Sequence, residues 1–258
     1  MAPTTEGYAQ VNDLKLYYQI LGDQGDPLVM VMGLSFSHLD WGVILPQLLS
    51  QNYRVILLDN RDAGLSSTAS QPYTMAEMAD DIAGLLEALA IDRADVFGIS
   101  MGGMIAQQFA LKYPQKLSKL ILGCTACSGS TLERVSETLA ATSLTELLFT
   151  PAYIQANRQQ LEDFLSRIYR YHSKPEGFMR QLGAIATHDV CQQLDQITAS
   201  TLILTGDRDI VIPPKHSDVL SQALPNAKLI PPFLDAGHGF PYSHAQETAD
   251  VVQQFLEE

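Results

Sequence analysis

Five short, almost continuous apolar runs punctuate the chain: PLVMVM (27–32), RVILLD (54–59), ADVFGI (94–99), KLILGC (119–124) and TLILTG (201–206). A strand wetted on one face alternates apolar and polar side chains, whereas a strand covered on both faces does not. Runs this short and this uniform predict a parallel central sheet layered between helices. A weaker run, AKLIPPF (227–233), is cut by two prolines, which cannot donate to a strand ladder. Ahead of them, GYAQV and LKLYYQIL flank Asn12 and Asp13, which reads as an N-terminal β-hairpin.

The spacers read as helices. In TMAEMADDIAGLLEALA (74–90), Thr74 and Glu77 form a capping box, and Met78, Ile82, Leu85, Leu86 and Leu89 share one face. LDWGVILPQLLSQ (39–51), MGGMIAQQFALKY (101–113) and HAQETADVVQQFLEE (244–258) follow the same pattern. Alternating strands and helices define an α/β, doubly wound class, and 258 residues with 46% hydrophobic content make one compact domain. Residues 128–194 break the alternation with helical segments only, rich in aromatics such as Phe149, Tyr153, Phe164 and Phe178. The expected organisation is a core of 1–127 and 195–258 carrying a helical cap, 128–194, over the carboxyl edge of the sheet, where ligands bind in such folds.

At GISMG (98–102) a serine sits where an apolar run ends and a helix begins. The pattern fits G-x-S-x-G in the strand–turn–helix context that motif requires. A turn so sharp leaves no room for Cβ atoms beside Ser100, and it projects the hydroxyl above the sheet at the positive end of a helix. A serine hydroxyl needs a base, and the base an orienting carboxylate. Of six histidines, His238 in DAGHGF lies between the last apolar run and the last helix, flanked by Gly237 and Gly239. His172 and His188 fall in the cap, His216 at a helix start, His244 in a first helical turn, and His38 is expected at the surface. TGDRDIV ends a strand with two candidate carboxylates, Asp207 and Asp209.

The hairpin, VMGLSFSHLDW, LLDNRDAGLS, GISMGG, LTGDRDIVIP and AGHGF together resemble α/β-hydrolase fold proteins of the small esterase, lactonase and cofactor-free haloperoxidase type. The resemblance covers nearly the whole chain. It implies the order Ser100, Asp209, His238 for a catalytic triad, with Asp207 a turn residue. It also implies an oxyanion hole from the backbone N–H groups of Met101 and Leu34. Met32 stands where such proteins usually carry histidine, which weakens the expected rigidity of that loop. In DNRDAGLS, Asp62 replaces a glycine and is expected to form an ion-paired turn.

The reaction so implied is hydrolysis of a small, largely apolar carboxylic ester or lactone through an acyl-enzyme, with Phe36 and Trp41 lining the pocket and the rate falling as pH drops through roughly 6–7. Perhydrolase or haloperoxidase chemistry and carbon–carbon bond hydrolysis use the same residues, and a non-catalytic receptor on this fold is a further alternative. A serine at position 100 argues against the aspartate-nucleophile dehalogenases and epoxide hydrolases. No metal or organic cofactor is required, because every role has a side chain or backbone amide.

A net charge of −13 repels phosphate backbones, so the expected partner is a small molecule and not nucleic acid. No apolar run is long enough to span a bilayer, and no signal peptide is read at the N-terminus. Cys124, Cys127 and Cys191 show no metal-site spacing and are expected as buried free thiols, consistent with a cytoplasmic location.

Overall fold

The computed structural model describes residues 4–132 and 143–258. Its frame is a sheet of eight strands: β1 (Thr4–Val11), β2 (Leu14–Leu21), β3 (Pro27–Val31), β4 (Arg54–Leu58), β5 (Ala94–Ile99), β6 (Leu117–Gly123), β7 (Thr201–Leu204) and β8 (Ala227–Leu229). Their spatial order is β1-β2-β4-β3-β5-β6-β7-β8. The hairpin β1–β2 turns at Asn12, which takes a left-handed φ of 53°. It joins β4 antiparallel, and every later pairing is parallel.

Alternate residues of each run point to opposite faces, and both faces are covered. Val29, Val31, Ile56, Leu58, Val96, Leu120 and Leu122 pack on one side, against α2 (Met75–Ala88) and α3 (Met101–Lys112). Leu28, Met30, Leu57, Phe97, Ile121 and Leu202 face the other side, with α1 (Ile44–Leu49) and the C-terminal helix, Ala245–Glu257. That double burial is why the runs show no alternation. The Thr74–Glu77 capping box opens α2 as its sequence requires. Trp41 is 1% exposed and packs on Phe97 at 5.1 Å inside this second layer. It is a core residue, and its expected place on a pocket wall is corrected accordingly.

Between β6 and β7 the described chain is helical, with α4 (Leu144–Leu148), α5 (Pro151–Ile168) and α6 (Pro175–Ala186). Gly129–Leu132 forms a short 3-10 turn, and the rest of the helix expected over 131–142 lies outside the described residues. The two stems of this insertion run side by side. Ser128 and Asp189 form an antiparallel bridge, Val190 N–H donates to Cys127 O at 2.9 Å, and Gly129 N–H donates to His188 O at 2.8 Å.

That pairing brings Cys127 and Cys191 to a Cα separation of 4.9 Å, where they form a disulfide. The expectation of three free thiols is therefore wrong for two of them, and with it goes that support for a reducing compartment. Only Cys124 remains free, and it is buried. The pairing escapes a local reading because 64 residues separate the partners and only the fold aligns the stems. No helix among the described residues is long and apolar enough to cross a membrane.

The disulfide closes a loop over the whole insertion, a large constraint on the unfolded chain. Replacing Cys191 by Ser, or reducing the protein, should cost about 2–4 kcal/mol. For a chain of this size that is a fall of roughly 5–15 °C in the thermal midpoint, measurable by circular dichroism.

Candidate active site

Ser100 is the single residue between β5 and α3, and its backbone takes φ 54° and ψ −124°. A non-glycine residue in that region is strained and must be held by its surroundings. Three glycines make the hold possible through space and not through φ. A Cβ at Gly98 would sit 2.2 Å from the Gly102 carbonyl oxygen, and one at Gly102 would sit 2.1 Å from that of Val31. At Gly103 it would overlap the Thr125 side chain at 2.5 Å. The turn is then pinned from both sides. Ser100 N–H donates to Gly123 O at 2.9 Å, and the Thr125 hydroxyl donates to Ser100 O at 2.7 Å. The Ser100 hydroxyl makes no hydrogen bond among the described residues.

Asp209 and His238 arrive on the loops after β7 and β8. Asp209 is buried; its Oδ1 accepts from the Val211 and Ile212 N–H groups at 2.8 and 2.9 Å. Its Oδ2 lies 2.8 Å from His238 Nδ1. Asp207, the rival carboxylate, instead accepts from Ala236 N–H at 3.1 Å and braces the turn. Burial alone would drive His238 toward its neutral form, but the Asp209 carboxylate outweighs it and holds the imidazole pKa well above the ordinary 6.5.

Gly237 and Gly239 are needed for clearance. A Cβ at either would meet Leu148 O or the Phe149 ring at 2.6–2.8 Å, and Gly239 N–H donates to Leu148 O at 2.7 Å. Neither glycine takes a positive φ; what requires them is the insertion, which fills the space beside them.

Cys124 links the two halves. It is fully buried at the end of β6, its Sγ donates to His238 O at 3.6 Å, and it interacts with the His238 side chain and the Ser100 backbone. Burial raises its thiol pKa, so the sulfur stays protonated. The Cys124 sulfur, a His238 ring nitrogen and an Asp209 oxygen lie within 4.8 Å of one another. Two of these three ligand-type groups are already spent on each other through the 2.8 Å bond.

The loop after β3 approaches from the opposite side. A Cβ at Gly33, the residue before Leu34, would lie 3.1 Å from Ser100 Cβ and 3.5 Å from its Oγ. Met101 N–H is the first of α3 and has no partner within the helix. Asn60 Nδ2 donates to Met32 O at 2.9 Å and steadies the strand end where histidine is absent. Phe36 is half-buried and packs on His172 in a tilted arrangement, with ring centroids 4.9 Å apart.

The other histidines have different duties. His38 is 4% exposed, correcting the surface expectation; its Nδ1 lies 2.9 Å from Asp59, whose Oδ1 also accepts the His38 N–H. His172 bonds Asp40 at 2.9 Å. His188 is buried with neither ring nitrogen partnered among the described residues, and burial pushes its pKa down to about 4. Asp62 forms a fork with Arg180 at 2.7 and 2.9 Å, the ion-paired turn its position implied. The pairs of His38 and His172 went unread because their carboxylates stand on other loops; the Ser37–Asp40 capping box was the visible local signal.

Residues 26–171 match the family model described as the alpha/beta hydrolase fold, and the chain belongs to that family. A protein of Caulobacter sp. (strain K31) bearing the name "Putative carbamate hydrolase RutD" is 30% identical over 258 residues, 93% of this chain and 95% of that one. The poly(3-hydroxyalkanoate) depolymerase of Ectopseudomonas oleovorans is 28% identical, covering 90% of this chain and 84% of its own. Among solved structures, the enol-lactonase of Burkholderia xenovorans LB400 is similar with a TM-score of 0.87 at 26% identity, over 98% of this chain and 100% of that one.

The packing at the turn sets a stability contrast. Gly102→Ala forces a methyl group into backbone and should destabilise by about 3 kcal/mol. Gly183→Ala, in α6 with nothing within 4 Å of its Cβ position, should stabilise by up to about 1 kcal/mol. Urea unfolding of both variants checks the pair.

Proposed function

We propose that this α/β hydrolase cleaves a small, largely apolar carboxylic ester or lactone through an acyl-enzyme on Ser100. The observation that carries the reading is the buried Asp209–His238 bond, brought by two separate loops to the strand edge where Ser100 sits. Asp209 occupies Nδ1, so the nitrogen left to face a substrate is Nε2. In that role Nε2 takes the Ser100 proton as Oγ bonds the acyl carbon, and the carbonyl electrons move to oxygen. The Met101 and Leu34 N–H groups are the donors for that oxyanion. As the tetrahedral species collapses, the acyl–oxygen bond breaks and the imidazolium protonates the departing alkoxide. Water then repeats the sequence on the acyl-enzyme, returning the proton to Ser100.

The preference for apolar substrates follows from what stands near the His238 loop. Leu148 and Phe149 form a small apolar cluster with Leu161, and Phe36 packs against it. We assign residues 128–194 as a cap over the site, with Phe36, Leu148 and Phe149 as its apolar wall. The names of the relatives span carbamate, polyester and enol-lactone substrates, and the aliphatic and aromatic wall favours the ester or lactone end of that range.

Ser100→Ala should reduce turnover of short p-nitrophenyl esters at least 10³-fold, on the order of a lost nucleophile, with an unchanged circular dichroism spectrum. A variant with full activity would refute the assignment. Because only neutral His238 accepts a proton, and its pKa is raised, kcat/KM should fall as pH drops through a value above 6.5, higher than the sequence expectation. Asp209→Asn should move that limb downward while lowering kcat on the order of 10⁴-fold; a pH–rate profile reads both.

A further inference from the structure

We propose that Gln181, on the inserted helix α6, is a positioning residue that sets the oxyanion loop. The inference rests on the ester-hydrolase reading above. Gln181 is 0% exposed, and both ends of its amide are bonded to the core. Its Oε1 accepts the Ser35 N–H at 2.7 Å, and its Nε2 donates to Arg61 O at 2.9 Å. Ser35 has a left-handed φ of 71°, a conformation a serine keeps only when its neighbours over-determine it. The bonds to Ser35 itself come from the insertion. Besides Gln181, Ser173 N–H donates to Ser35 O at 2.9 Å and reaches its hydroxyl at 3.1 Å.

The consequence is geometric. The peptide that carries the Leu34 N–H is joined through one α-carbon to the peptide that carries the Ser35 N–H. Fixing the second at Gln181 restricts the first. On the side of β3, Asn60 holds the Met32 carbonyl and the Phe36 N–H donates to Gly33 O at 3.4 Å, a long bond that leaves the Ser35 N–H to Gln181. At the far end, Arg61 O is itself immobilised, because the Arg61 guanidinium is forked to Asp81 at 2.6 and 2.7 Å. Gln181 therefore bridges a strained donor loop to a rigid one. Its neighbour Arg180, forked to Asp62, keeps α6 at the required height.

Two variants separate positioning from simple support. Gln181→Met keeps the volume and removes both hydrogen bonds. Gln181→Glu keeps them only when protonated, since an ionised carboxylate offers no donor to Arg61 O. Gln181→Met should lower kcat on p-nitrophenyl esters about 10–100-fold, less than outright loss of one oxyanion donor. Its KM should stay within about threefold, at temperatures below its own thermal midpoint. For Gln181→Glu, the ratio of its kcat to the wild-type kcat at the same pH should rise as pH is lowered. Wild-type kcat in Gln181→Met, whatever its midpoint, overturns the proposal. If that variant does not fold, a pH-independent ratio in Gln181→Glu overturns it instead. Wild-type protein that turns over no ester removes the catalytic reading and this one together, whereas active wild type with an undisturbed variant removes this one alone.

Discussion

Backbone meets backbone at the turn between β5 and α3, and the rest of the site is arranged around that contact. Gly98 lies under the Gly102 carbonyl, Gly102 under that of Val31, and Gly103 against Thr125. The first turn of α3 thus lies against the ends of β3 and β5 and the Thr125 side chain after β6 with no room for a Cβ. The energy of a left-handed serine, of order 1–3 kcal/mol, is tolerated because this packing leaves the chain nowhere else to go. Any side chain at those glycines pushes α3 off the sheet. It would also move the Met101 N–H, the end of β3 and the Thr125 bond at once.

The inserted helices hold three loops of the core: Leu148 and Phe149 grip the His238 loop, Gln181 and Ser173 grip Ser35, and Arg180 grips Asp62. These contacts are buried or half-buried and satisfy donors that would otherwise be stranded, so removing one partner costs more than the bond contributes. The Cys127–Cys191 disulfide joins the two stems one residue beyond the Thr125–Ala126 segment that supports the serine turn. Loss of the seating of the insertion therefore reaches the serine turn and the His238 loop directly.

The frame was legible because it depends on local periodicity. Each uniform apolar run became a strand in the sheet, and Thr74–Glu77 marked a helix start within one residue. The Asp209–His238 contact followed from a resemblance that placed both residues at strand ends. What escaped was set by distance along the chain. Cys127 and Cys191 meet across 64 residues, Gln181 and Ser35 across 146, and His172 and Asp40 across 132. None of these partners carries a periodic or spacing signal, so only the assembled fold reveals them. His38 and Trp41 were misplaced for a related reason. The surface expected for His38 and the pocket wall expected for Trp41 give way once Asp59, in the loop after β4, and Phe97, in β5, bury them.

An acidic chain must also keep its carboxylates from competing for the one imidazole that counts. Asp59, Asp62, Asp81 and Asp209 are all buried, and each has its own partner: His38, Arg180, Arg61 and His238. For Asp62, burial opposes ionisation, but the Arg180 fork, the Tyr73 hydroxyl and the Ala69 N–H hold its pKa below the ordinary carboxylate value. For Asp81 the balance tips the other way, and burial raises its pKa despite Arg61. An unpaired buried carboxylate would carry a penalty of several kcal/mol and would seek any proton within reach. With these carboxylates paired elsewhere, Asp209 is the acidic group that acts on His238, with Cys124 beside it, so the bond that orients the imidazole also raises its affinity for a proton.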